Sequence, residues 1–131
     1  MSGLWSGEYR YDHDGMCVRF TAMITETDGK LCGTTLEPAT FGPLAGPDGE
    51  YEATIRGDRC GQHVLFSKRY LDSIGNGQPP LLYSGAVDAT FTLINGRWTF
   101  AEPALPSGTF SLSRVTTRTC AVIASVAEAG S

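Results

Sequence analysis

Two opposite charges, Glu37 and Lys68, stand in runs whose alternate residues are otherwise apolar or small: Leu31-x-Gly33-x-Thr35-x-Glu37 and Val64-x-Phe66-x-Lys68-x-Tyr70. If both runs are strands, both charges turn toward a core. A buried carboxylate and ammonium must pair, stay solvated, or hold a ligand's polar group. Tyr9, Tyr11, Tyr51, Tyr70 and Tyr83 recur in runs of the same kind. Tyrosines so placed either stack on a planar ligand and donate hydrogen bonds or simply fill space. A carboxylate beside cationic and phenolic donors is also the equipment of an isomerase or cyclase, with Glu37 as acid or base and Lys68 or a tyrosine stabilising developing charge.

Other chemistry has less support. Asp12-His13-Asp14 reads as a hydrated turn with no further metal ligand placed nearby. His63 alternates onto the face opposite Val64 and Phe66, which removes it from the interior and from haem ligation. There is no Ser-His-Asp set, phosphate-binding loop, dinucleotide fingerprint or helix-borne metal pair. No catalytic residue, metal or cofactor is assigned.

The elements that must carry these residues are strands. Short alternating runs followed by Gly, Asp, Asn or Pro recur every 8 to 15 residues, giving strands near 4–12, 17–27, 30–37, 50–57, 62–71, 81–87, 92–101 and 108–116. An all-β, eight-stranded antiparallel up-and-down barrel over 1–116 accommodates them. A tail at 117–131 is open between a short helix and an extra strand. Asp28-Gly29 and Asp58–Gly61 read as tight turns, whereas 38–49 and 72–80 read as loops. The sixth turn falls at Asp88–Phe91 or at Asn95-Gly96, and Asp88–Phe91 balances the strand lengths better.

Cross-strand partners share a face. A turn at Asp28-Gly29 pairs Ile24 with Gly33, Ala22 with Thr35 and Phe20 with Glu37, whereas one at Arg59-Cys60 pairs Ile55 with Val64, Ala53 with Phe66 and Tyr51 with Lys68. Sorted by height, the hairpin end holds Trp5, Ile24, Leu31, Ile55, Val64, Val87, Ile94, Leu112 and Arg114, an apolar plug with one arginine. The loop end holds Tyr9, Tyr11, Glu37, Tyr51, Lys68, Tyr70, Tyr83, Phe100 and Phe110, and several inward glycines are expected to leave room in the interior.

Composition bounds the partners. The chain has 131 residues and a formal charge of −4, with Arg56, Arg59, Lys68 and Arg69 as its main basic grouping, which disfavours nucleic acid and anionic membranes. The longest apolar run falls short of a membrane-spanning helix, and a cytoplasmic location is the default expectation. Cys17, Cys32, Cys60 and Cys120 show no C-x-x-C spacing and are expected as free thiols.

Gly3-Leu4-Trp5 resembles the G-x-W that opens the first strand of the calycin superfamily, which includes lipocalins, fatty-acid-binding proteins and avidins; Arg114 resembles its closing arginine. The stretches 57–70 and 83–98 look like small avidin-like bacterial proteins of unassigned function. The resemblance implies a barrel whose floor is closed by Trp5 packed on Arg114. It transfers no ligand: the first-strand asparagine and serine of biotin recognition are replaced by Glu8 and Tyr9. The tyrosine of the fatty-acid-binding R-x-Y is missing from Arg114-Val115-Thr116.

The leading expectation is a non-enzymatic barrel that takes a small apolar or aromatic molecule against Tyr9, Tyr11, Glu37, Tyr51, Lys68, Tyr70, Tyr83 and Phe100. The alternatives are the isomerase-type reaction and a module that assembles with itself through outward residues such as Leu4, Met23, Leu36 and Leu65.

Overall fold

The computed structural model describes residues 1–40, 49–71, 79–102 and 104–115. The possible tail at 117–131 and Cys120 lie outside these residues. Eight strands follow in order: β1 (Gly3–Tyr11), β2 (Cys17–Thr27), β3 (Lys30–Pro38), β4 (Glu50–Cys60), β5 (His63–Tyr70), β6 (Leu81–Val87), β7 (Leu93–Phe100) and β8 (Ser107–Arg114). Each pairs antiparallel with the next, and β8 returns to β1, so the sheet is a closed barrel without an open edge. Among the described residues there is no helix.

Alternation decides what enters the lumen. β2 buries Val18, Phe20, Ala22 and Ile24, and β5 buries Val64, Phe66, Lys68 and Tyr70. The β2–β3 turn is Asp28-Gly29, with φ of 50° and 81°; two consecutive positive φ values make the I′ geometry whose twist matches a hairpin. It sets the expected register, Ile24 opposite Gly33 and Ala22 opposite Thr35. Pairing ends at Thr21 and Leu36, one step before Phe20 would meet Glu37.

The β4–β5 hairpin differs from expectation. β4 continues through Asp58 and Arg59 to Cys60, and the turn is Gly61-Gln62, so Arg59 faces Val64, Gly57 faces Phe66, Ile55 faces Lys68 and Ala53 faces Tyr70. The turn forms where glycine permits a positive φ, 61° at Gly61. Arg59 is held in the strand by a paired contact to Glu26, Nε to Oε1 at 2.8 Å and Nη2 to Oε2 at 2.7 Å. The displacement is four residues, an even number, so every side chain keeps its face. The β6–β7 turn spans Asp88 to Thr92, and Asn95-Gly96 lies inside β7. Asp88 organises this turn by accepting from the backbone N–H of Thr92 at 2.8 Å and of Leu93 at 3.1 Å.

The inward glycines serve strand approach rather than lumen space. A Cβ on Gly7 would run into the carbonyl of Ser111, and one on Gly57 into that of Leu65. These seams close as tightly as they do because nothing projects there.

At the hairpin end, Trp5 and Arg114 are cross-strand partners. The guanidinium lies 4.7 Å from the Trp5 ring centroid, donates from Nε to Phe91 O at 2.8 Å and from Nη1 to Ser2 O at 2.6 Å. Outside this stack, Glu26 links Arg59 and the N-terminal ammonium, and both cations hold its carboxyl down at about 2, Arg59 foremost. Arg59 also covers the Phe91 ring at 5.1 Å. Arg114 thus ties β8, the β6–β7 turn and the segment before β1 into one floor.

Replacing Arg114 by Ala removes the ring contact and two charge-assisted hydrogen bonds, and should lower stability by about 3 kcal/mol. A urea midpoint reduced at unchanged slope is the expected readout; a loss under about 1 kcal/mol would mean the floor closes without it.

Candidate functional site

The loop end of the lumen is built from all eight strands. β1 supplies Tyr9 and Tyr11, β2 Phe20, β3 Glu37, β4 Tyr51, β5 Lys68 and Tyr70, β6 Tyr83, β7 Trp98 and Phe100, and β8 Phe110. Glu37 and Lys68 are each 1% exposed, which decides that no bulk water solvates either charge. They meet directly, Lys68 Nζ to Glu37 Oε1 at 2.6 Å. Tyr70 Oη donates to the same oxygen at 2.8 Å, and Tyr9 Oη donates to Oε2 at 2.5 Å. Both carboxylate oxygens are therefore engaged, as a buried carboxylate requires.

Around the ammonium stand four rings. Lys68 Nζ lies 4.8 Å from the Tyr70 centroid, 4.9 Å from Tyr9, 5.1 Å from Phe20 and 5.8 Å from Tyr83. With one carboxylate contact and these π faces, a desolvated ammonium recovers part of its lost hydration. Burial still pulls the Lys68 amine below its ordinary range, against the opposing pull of Glu37. Tyr9, Tyr70 and Tyr83 are pushed far above the usual phenol range, first by burial and then by neighbouring acidic groups, Glu37 among them. Tyr11 rises for the same first reason.

A second layer extends toward the loops. Trp98 meets Tyr9, Tyr11 and Phe100 edge-on at 5.8, 5.1 and 6.0 Å, and Tyr51 meets Tyr70 at 5.9 Å. Tyr11 and Phe100 are only partly buried and form its outer rim. Tyr83 stacks on Phe66 at 5.0 Å and takes the edge of Phe110 at 4.9 Å. Its hydroxyl is fully buried and has no hydrogen-bond partner among the described residues; the Thr35 hydroxyl is the other such group. On the flank where β2 and β3 part, a groove of about 290 Å³ is lined by Arg19, Phe20, Leu36, Glu37, Pro38 and Glu50, among others.

The structure thus brings Tyr9, Glu37, Lys68, Tyr70 and Tyr83 into one cluster, with Tyr51, Tyr11 and Phe100 around it. Sequence reasoning missed Phe20 and Trp98 as members, although both alternate inward beside assigned residues. Tyr51 faces Glu37 across β3–β4, not Lys68, which the β4–β5 displacement places opposite Ile55. Asp12 and Asp14 are spent locally: Asp12 accepts from Arg97 and Ser107, and Asp14 from Met16 N–H. His63 is exposed.

A closed eight-stranded antiparallel meander with Trp5 stacked on Arg114 at one end is the fold of an avidin-like barrel. Three shwanavidin structures share it: a mutant in complex with biotin (18% identity, 83% of this chain and 94% of that chain, TM-score 0.54), a low-affinity mutant (17%, 88% and 97%, 0.56) and the apo protein (18%, 85% and 95%, 0.54). At this identity the likeness establishes the fold alone. No family model and no curated protein matches the chain.

Two measurements follow from the cluster. Glu37→Ala leaves an unpaired buried ammonium and should lower stability by about 3–5 kcal/mol, whereas Glu37→Leu with Lys68→Met should recover most of that loss. Equal losses in the single and double variants would show that the two charges do not act as a pair. In alkaline solution the unfolded tyrosines ionise near 10 while Tyr9, Tyr70 and Tyr83 resist, so stability contributed below pH 10 is lost above it. The expected slope is about 1.4 kcal/mol per pH unit for each. Absorbance of phenolate should therefore rise late and together with unfolding; full ionisation of a folded protein at pH 11 would contradict the burial.

Proposed function

We propose that the barrel binds a small planar, largely apolar molecule at its loop end, without turnover. The observation that carries this reading is the Tyr83 hydroxyl: fully buried, beneath a rim of partly exposed Tyr11 and Phe100, and without a partner among the described residues. An unmatched buried hydroxyl costs about 1–3 kcal/mol, which a ligand's polar atom would offset. Ring edges from Tyr9, Tyr11 and Trp98 suit a flat molecule, and a few hydroxyls among aromatic walls are the usual makeup of such sites. A barrel of this fold takes a small molecule in the shwanavidin mutant complex with biotin; Glu8 and Tyr9 at the β1 position argue for a different ligand here.

The test is fluorescence of Trp98 titrated with 2-naphthol and with cinnamyl alcohol, beside a native mass spectrum of protein purified from its own host. Saturable quenching, weakened about tenfold by Tyr83→Phe, is expected. No retained molecule together with no saturable change for either probe would sink the reading.

A further inference from the structure

We propose that Lys68 forms a reversible imine with an aldehyde ligand, making the barrel a covalent carrier of a planar carbonyl compound. This rests on the reading that the loop end takes such a molecule.

The chain has only two lysines, Lys30 and Lys68. Lys30 is on the surface in an exposed pair with Asp58, while Lys68 stands inside with three kinds of group an imine needs. Glu37 Oε1, 2.6 Å from Nζ, can take and return a proton. Tyr83 has an unengaged hydroxyl within the lumen and its ring 5.8 Å from Nζ, so it can donate to a carbonyl oxygen. Tyr9, Phe20 and Tyr70 complete a cage that favours a cation on nitrogen. Desolvation also favours the neutral, nucleophilic amine.

The steps balance without any redox partner. Lys68 passes one ammonium proton to Glu37, and the freed lone pair attacks the carbonyl carbon while the oxygen is held by Tyr83. Glu37 returns its proton to that oxygen and then accepts one from nitrogen, giving a neutral carbinolamine. The same proton is delivered to the hydroxyl, the C–O bond breaks, water leaves and a protonated imine remains. The start and end states each carry one positive charge on nitrogen and one carboxylate, so the pair and its cage persist; hydrolysis runs the steps backward.

Cinnamaldehyde with sodium cyanoborohydride, followed by peptide mass mapping, tests this on the unaltered chain. Accessibility alone would put the reduced adduct on Lys30, whose side chain is 79% exposed. The expected result is the reverse, Lys68 labelled at least about tenfold faster than Lys30. Tyr83→Phe should slow Lys68 labelling several-fold while Lys30, an internal standard in the same molecule, is unchanged. Labelling confined to Lys30, or equal at both, overturns the proposal. Saturable Trp98 quenching by cinnamyl alcohol without a Lys68 adduct overturns the imine and leaves the binding reading intact; neither quenching nor adduct removes both.

Discussion

An ammonium and a carboxylate sealed inside a sheet must answer one another, and the contact between Lys68 and Glu37 places that demand across β3 and β5, strands that are not themselves neighbours. A side chain from each has to reach the same point over β4. Around that point the hydroxyls of Tyr9 and Tyr70 have fixed targets, and their rings are set by where those hydroxyls go. Trp98, Tyr11 and Tyr51 pack on those rings in turn. An all-apolar lumen of the same volume could be as stable, but it would have fewer reasons to adopt one arrangement.

Most of the barrel is legible in residue order because strand period is two and cross-strand partners share a face. The β4–β5 hairpin shows how forgiving this is. Its turn lies at Gly61-Gln62 instead of Arg59-Cys60, yet Lys68 and Tyr70 still point inward, because the displacement is even. An odd displacement would have turned the ion pair out to solvent. Asp28-Gly29 was readable outright, since both central residues suit positive φ, whereas the Asp58–Gly61 signal held several candidate turns and the Arg59 contact with Glu26, distant in sequence, decided among them.

The candidate site was legible as a list of inward residues, not as a geometry. Nothing in the spacing of Glu37 and Tyr9 says that one hydroxyl would satisfy one carboxylate oxygen. Nor does the position of Tyr83 say that its hydroxyl would be left over. Phe20 was placed inward by its alternation, but only the structure shows its ring lying over the Lys68 ammonium, so its part in the cluster is not carried by its ladder partner Gly7. The glycines were misread for a related reason: facing inward suggests space, but Gly7 and Gly33 are there because neighbouring backbones come too close for a side chain.

The eight seams of the barrel are not equivalent in time. Seven join strands adjacent in the chain and can zip from a turn or loop, while the eighth brings Trp5 against Arg114 and Tyr9 against Phe110 across almost the whole sequence. Loop-closure entropy makes that last pairing the slow, non-local event in assembly. Until it happens the sheet is an open curl with two bare edges, Tyr9 is on one margin and Phe110 on the other, and the ring cluster has a missing wall. Folding and completion of the aromatic cluster are then the same step, because the seam that sets Trp5 against Arg114 is also the one that sets Tyr9 against Phe110.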